Sequence, residues 1–307
     1  MIYLLLAVLC SSSIALIFKH SETNNMNRLA VTSANYFTAF MISLFFIFNQ
    51  NIFKLFQGEE FSNFFLEFKE VIINNNDTVF SVSASLIWAI IIGVFTGVFF
   101  FLAFIYYQKS VRNDGVGLAG VFSKLGILLP MIFSILLWQE YPTEIQWFGI
   151  ILAILSIILV NFPFGQDWKK ALRISLILLF FYGGIAEFSN KIFQKYAVLD
   201  IKPLFLFFVF VTAFLISIFF TIKGRKGFTS REIMTGIMVG IPNLFSSFFL
   251  INALDQLKTA VVFPIFSAGS IVVINLGGLF IFKEKLNKKE VTSIVMTIVA
   301  LILINIK

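Results

Sequence analysis

The chain has almost none of the groups that carry acid–base, metal or redox chemistry. Among its 307 residues there is one cysteine, Cys10, and one histidine, His20. One cysteine excludes a disulfide framework, and a lone histidine cannot build a His-based metal site. Charged residues make up only 13% of the chain and hydrophobic residues 59%. A soluble protein of this length needs far more polar surface. No P-loop is present, nor the cluster of His, Asp or Glu near one interface that a membrane enzyme requires, so neither an enzymatic activity nor a cofactor is expected. The net charge of +7 does not point to nucleic acid, because the basic residues lie in short loops between apolar runs and not along one face of a soluble domain.

What is abundant is apolar surface, with Phe alone occurring 42 times. A helix needs about 20 mostly apolar residues to cross the hydrocarbon core. Ten such runs are present, at roughly 2–18, 31–49, 85–107, 115–138, 144–162, 172–194, 203–222, 231–254, 259–282 and 290–306. The first lacks the basic start of a signal peptide and counts as a span. Lipid offers backbone groups no hydrogen bonds, so runs of this length are helices. The expected fold class is therefore an all-α integral membrane protein with ten transmembrane helices, a multi-pass protein of the bacterial inner (plasma) membrane.

The pattern is written twice. Residues 38–46 read TAFMISLFF and residues 212–220 read TAFLISIFF, a shift of 174. Later in the halves a shift of 144 superimposes Phe122-Ser123 on Phe266-Ser267, Glu140 on Glu284, Ile154 on Ile298 and Asn161 on Asn305. The two shifts differ by about 30 residues, which the longer connection 50–84 accounts for. The expected organisation is a first five-helix repeat over 1–162, with an insertion at 50–84, and a second over 170–307. Because each half holds an odd number of spans, the copies are expected to be inverted, an arrangement from which many secondary transporters are built. Within the insertion, Phe61, Phe64, Phe65, Phe68, Val71 and Ile72 share one apolar stripe. They predict an amphipathic helix on the membrane surface or over a pore mouth. Most of the 23 Lys and Arg residues fall in loops after odd-numbered spans, and the positive-inside rule then puts both termini outside.

The stretch Tyr106–Asn161 resembles the repeat domain of the drug/metabolite transporter superfamily in its EamA branch. The residues that carry the resemblance are the small-residue span Gly115, Gly117, Ala119 and Gly120, then Pro130, Glu140 and the Trp147-Phe148-Gly149 helix start. Ala260, Pro264, Ser267, Gly269 and Glu284 repeat the outline, with Val291-Thr292 in place of Trp147-Phe148. The resemblance implies two inverted EamA-like repeats, a pseudo-two-fold axis in the membrane plane and a central cavity for metabolites. It also implies cytoplasmic termini, opposite to the charge count.

Ionisable and amide groups inside spans are the sharpest functional signal, since each costs about 2.5–3.5 kcal/mol at a helix centre on insertion scales. Lys124 lies in the middle of span 4, next to Ser123, and its equivalent in the second half is Ala268. Glu187 and Asn190 lie in span 6, with Lys191 four residues after Glu187, either a helix-surface ion pair or a cation site. Asn243 follows Pro242 in span 8, and Asn275 and Ser267 lie in span 9. Gly183-Gly184, Pro242, Pro264 and Gly277-Gly278, with Pro130 in the first half, are candidate helix breakers lining a cavity. Glu140 and Glu284, just after their spans, are expected to be structural caps.

These features together predict a secondary transporter of small polar metabolites, of the amino-acid or phosphorylated, anionic class, working by alternating access. Its partners are a small-molecule substrate, a coupling proton or ion, and the lipid bilayer, in a monomer or homodimer. The alternative is a flippase for a lipid or lipid-linked substrate on the same fold.

Overall fold

The computed structural model describes residues 1–52, 54, 63–74, 78–114, 116–161, 174–224, 227–283 and 288–306. Phe61, Gly115 and Glu284 lie outside them. Among the described residues nine of the ten apolar runs each fall on one helix, and the fourth falls on two, α5 and α6. The helices are α1 (Ile2–Thr23), α2 (Arg28–Asn49), α3 (Phe64–Phe68), α4 (Val82–Asp114), α5 (Val116–Leu125), α6 (Leu128–Trp138), α7 (Glu144–Asn161), α8 (Ile174–Tyr196), α9 (Lys202–Lys223), α10 (Ser230–Gln256), α11 (Thr259–Ile281) and α12 (Lys288–Asn305). Among the described residues seven helical stretches are long and apolar enough to cross a membrane: Ile2–Ser21, Arg28–Asn49, Val82–Ser110, Ile174–Tyr196, Leu199–Lys223, Ser230–Gln256 and Thr259–Ile281. Phe122–Trp138 and Glu144–Leu159 are shorter apolar helices. The protein is a multi-pass integral membrane protein.

The chain forms two compact units, and each draws on both halves of the sequence. One consists of Met1–Leu16, Phe99–Phe188 and Asn252–Lys307, the other of Ile17–Val98 and Ser189–Ile251.

In the second unit the twin sequences of α2 and α9 pack on each other. Ser33, early in α2, hydrogen-bonds Thr221, at the end of α9, at 2.9 Å. The equivalent residues Phe40 and Phe214 meet midway, with ring centroids 5.3 Å apart. The two helices therefore run antiparallel. Gly236 and Gly240 bring α10 against α2: a Cβ at Gly236 would meet the Val31 carbonyl at 2.6 Å, and one at Gly240 the Asn35 carbonyl at 2.6 Å. This small-xxx-small spacing permits close backbone approach in lipid, where no hydrophobic force draws helices together. The start of α10 is held by a capping box. Glu232 accepts from the Thr229 N–H at 2.8 Å and the Thr229 hydroxyl accepts from the Glu232 N–H at 3.4 Å. The same carboxylate accepts from the Asn27 N–H at 2.7 Å, which ties the α1–α2 turn to α10.

The insertion forms α3, which runs into a π-helical turn at Lys69–Ile73. Phe64 stacks on Phe80 at 5.7 Å, Phe68 meets Trp88 at 6.2 Å and Val71 is buried. Phe65, placed on the same stripe by the sequence, is instead 81% exposed. Phe65 follows Phe64 by about 100° of helix rotation, which carries it off the face that Phe64 and Phe68 turn to Phe80 and Trp88. Glu67 fastens the segment by accepting from the N–H and hydroxyl of Ser81 at 2.8 and 2.7 Å.

In the first unit α7 and α12, also equivalents, run antiparallel. Gln146 near the start of α7 donates to the Ile304 carbonyl near the end of α12 at 3.2 Å, and the Ser156 and Thr297 hydroxyls meet at 2.9 Å. Gly149 allows the crossing, since a Cβ there would lie 2.7 Å from Ile304 and 3.0 Å from the Ala300 carbonyl. The chain turns sharply after α6 and after α11 through equivalent residues with positive φ, Gln139 (54°) and Lys283 (55°). The first turn delivers Glu140, whose Oε2 accepts from the Thr259 N–H at 2.6 Å and caps α11.

Candidate functional site

Span 4 is not one helix. Its first piece, α5, ends at Leu125, and α6 begins at Leu128. Pro130 explains the break. It has no N–H for the carbonyl four residues back, that of Gly126, and its ring collides with that carbonyl in a regular helix. The Gly126 carbonyl instead accepts from the Leu129 N–H at 3.0 Å, and Pro130 falls in the first turn of α6, where its missing N–H costs little.

Lys124 stands in the last turn of α5. A cation there is favoured by the helix dipole and by carbonyls that the break leaves without helical partners. Lys124 and the adjacent Ser123 are half-buried.

Helix α8 passes the break at close range. A Cβ at Gly126 would lie 3.0 Å from the Gly184 nitrogen and 3.1 Å from the Phe180 carbonyl. A Cβ at Gly184 would collide with the Gly126 carbonyl and lie 2.6 Å from Leu129 Cδ1. This approach brings Glu187, one turn beyond Gly184, within electrostatic range of Lys124. Two midspan residues of opposite charge thus flank the crossing at the interruption. Tyr182 packs on Phe99 and Tyr106, with centroids 5.7 and 5.2 Å apart. Gly183 differs from its neighbour: among the described residues, no atom lies within 4 Å of a Cβ built there.

The remaining sequence candidates divide between the units. Pro264 and Ser267 are buried on α11 in the first unit. Asn275, on the same helix, has a buried Nδ2 with no hydrogen-bond partner among the described residues. In the second unit Asn243 donates to Asn35 Oδ1 at 3.0 Å. Asn190 there is buried, and Lys191, 4% exposed, donates to Gln194 Oε1 at 2.9 Å.

The proposed helix breakers require correction. Helices α8, α10 and α11 run on through Gly183-Gly184, Pro242 and Pro264. Gly184 serves close packing on Gly126, and contacts to α2 hold α10 on both sides of Pro242. Helix α11 also runs on through Gly277-Gly278, and of the expected breakers Pro130 is the one at an interruption, at Gly126-Ile127. Three features were missed in the sequence: the Gly126–Pro130 spacing, the amide partner Asn35, and Lys202, buried with its ammonium 4.2 Å from the Phe248 ring centroid. A glycine four residues before a proline inside an apolar run, and a lone amide inside another, were the available signals. Among the described residues no three His, Cys, Asp or Glu side chains gather as metal ligands.

The EamA-like transporter family model matches residues 1–162 and 174–306. An uncharacterized protein of Haemophilus influenzae is 24% identical over 305 residues, 97% of this chain and 95% of that one. A solved crystal structure superimposes with a TM-score of 0.68 at 11% identity, over 99% of this chain and 95% of the other, a likeness of fold. With residues 1–162 and 174–306 both matched by one family model, the chain belongs to the EamA-like transporter family.

Proposed function

We propose that this membrane transporter moves a small polar metabolite bearing an anionic group, and that Lys124 and Glu187 bind it. The observation that carries the proposal is their placement, two and three residues from the close Gly126–Gly184 crossing, at the interruption between α5 and α6. Interrupted helices expose backbone groups to a bound solute at membrane depth. Ionisable groups at that depth mark substrate or ion paths. A lysine and a carboxylate side by side suit a zwitterion: Lys124 takes the carboxylate and Glu187 the ammonium. A phosphorylated dianion would be repelled by Glu187, so the amino-acid class is favoured. Ser123, Asn190, Asn243, Asn275 and Ser267 are further candidates for contact with substrate or coupling ion.

The antiparallel pairing of equivalent helices, α2 with α9 and α7 with α12, supports ten spans in two inverted repeats and alternating access to one site. The Haemophilus relative supports a bacterial inner-membrane location. Coupling to a proton, an ion or a counter-substrate is expected. The flippase alternative draws on an apolar groove of about 440 Å³ lined by Phe37, Met41, Phe45 and Ile237.

Uptake of radiolabelled amino acids into proteoliposomes tests the proposal. Lys124→Ala and Glu187→Gln should abolish uptake while the protein stays folded, and wild-type rates in both would overturn the assignment. Scrambling of fluorescent lipid in the same vesicles, without amino-acid uptake, would favour the alternative.

A further inference from the structure

We infer that Gly183 faces a water-filled chamber and sets the size of the solute that it admits. The chamber itself is inferred from geometry independent of the charges, and its use for substrate rests on the function proposed above. Successive residues of an α-helix are rotated by about 100°. Phe181, 44% exposed, marks the lipid side of α8. Gly183 then points roughly 160° away from it, toward the protein interior, and Glu187, four residues on, shares its face.

An interior helix position is normally filled, because protein interiors pack densely and an empty space forfeits dispersion contacts. A Cβ at Gly183 meets nothing within 4 Å among the described residues, whereas one at the adjacent Gly184 collides with backbone. Packing therefore demands glycine at 184 and leaves room at 183. Glycine in a helix interior costs about 0.5–1 kcal/mol relative to alanine. A glycine that packing does not require, on the interior face of α8 that also carries Glu187, points to open space there. A side chain added there would project into the path beside Glu187.

The chamber is tested with thiol chemistry in proteoliposomes. In a Cys10→Ser background, which removes the single native thiol, Gly183→Cys and Phe181→Cys are exposed to a charged methanethiosulfonate on both membrane faces. A thiol in lipid ionises poorly. A pKa raised by about two cuts its thiolate about 100-fold, so the Gly183→Cys protein should react about 100-fold faster than the Phe181→Cys protein. Equal rates would overturn the inference.

The size limit is tested with Gly183→Leu, which should keep the wild-type melting temperature. It should depress uptake of tryptophan and leucine about 10–200-fold relative to glycine and alanine, the range for steric discrimination by a pocket. Equal loss for all four, or none, refutes size control. Failure of the charge assignment looks different: the thiol introduced by Gly183→Cys would still react quickly, but Lys124→Ala would transport normally.

Discussion

Gly184→Ala should destabilise the protein, although alanine is the better helix former. In the interior of α8 the exchange gains about 1 kcal/mol of helix propensity. Against this stands the crossing with the broken span. The new methyl would lie 2.6 Å from Leu129 Cδ1, 3.0 Å from Leu129 Cβ, and against the Gly126 carbonyl. Comfortable carbon–carbon separations are about 3.5–4.0 Å, so α8 and the break must separate by about 1 Å. Leu129 Cδ1 can swing away, but its Cβ and the Gly126 carbonyl move only with the backbone. Overpacking of this kind costs about 1–3 kcal/mol and sometimes more, leaving a net loss of roughly 0–2 kcal/mol, toward the upper end because the Gly126 carbonyl yields only with the backbone. At about 2–4 °C per kcal/mol for a mid-sized domain, the melting temperature in detergent should fall by several degrees. Gly183→Ala is the internal control, because it meets nothing and should melt at or slightly above wild type. A Gly184→Ala protein as stable as Gly183→Ala would refute the close approach of α8 to the break, and with it the placement of Glu187 beside Lys124.

Two other contacts yield checkable outcomes. A double-mutant cycle with Asn35→Ala and Asn243→Ala should show coupling of about 0.6 kcal/mol, and at most about 1.7, the range for hydrogen bonds between membrane helices; strictly additive melting shifts would count against the 3.0 Å amide bond. Glu232→Ala should lose about 1–2 kcal/mol by removing the capping box of α10 and the tie to Asn27, and Glu232→Gln should lose less, since glutamine also serves in a capping box. Equal melting temperatures for wild type and Glu232→Ala would disprove that role.

The helices were legible because apolar runs of about 20 residues in lipid admit few alternatives. The twin segments around Phe40 and Phe214 were legible as a repeat, but their packing on each other required the fold. Lys124 and Glu187 stood out singly as charges in apolar runs. That they meet depends on how close two helices come, which is set by Gly126 and Gly184, residues whose importance lies in what they lack. Asn35 is 208 positions from Asn243, and no local pattern links them. The insertion was half legible: the stripe through Phe64, Phe68 and Val71 does face protein, whereas Phe65, at the edge of that stripe, faces outward, and apolar spacing alone does not say how wide the covered face is.

The interruption at Gly126-Ile127 is also where the two halves of the chain part company. Under the late register, Gly126 corresponds to Ser270 and Pro130 to Ile274. With an N–H restored at the second position and no ring to avoid, α11 stays helical through this region. Ser270 instead reinforces the helix, donating to the Phe266 carbonyl at 2.6 Å, while its own carbonyl accepts from Ser12 at 3.3 Å. Lys124 corresponds to Ala268, fully buried in a stretch of α11 that is buried from Thr259 to Ile271. One sequence pattern thus appears as a packed, uninterrupted helix in one copy and as a broken, charged one in the other. Where the copies agree, as at Phe40 with Phe214 and at the turns of Gln139 and Lys283, the residues build scaffold. A proline, a glycine and a lysine within seven residues, all absent from the other copy, are costly to fold in lipid unless the break has a use. Binding a charged solute at membrane depth is a use that explains all three together.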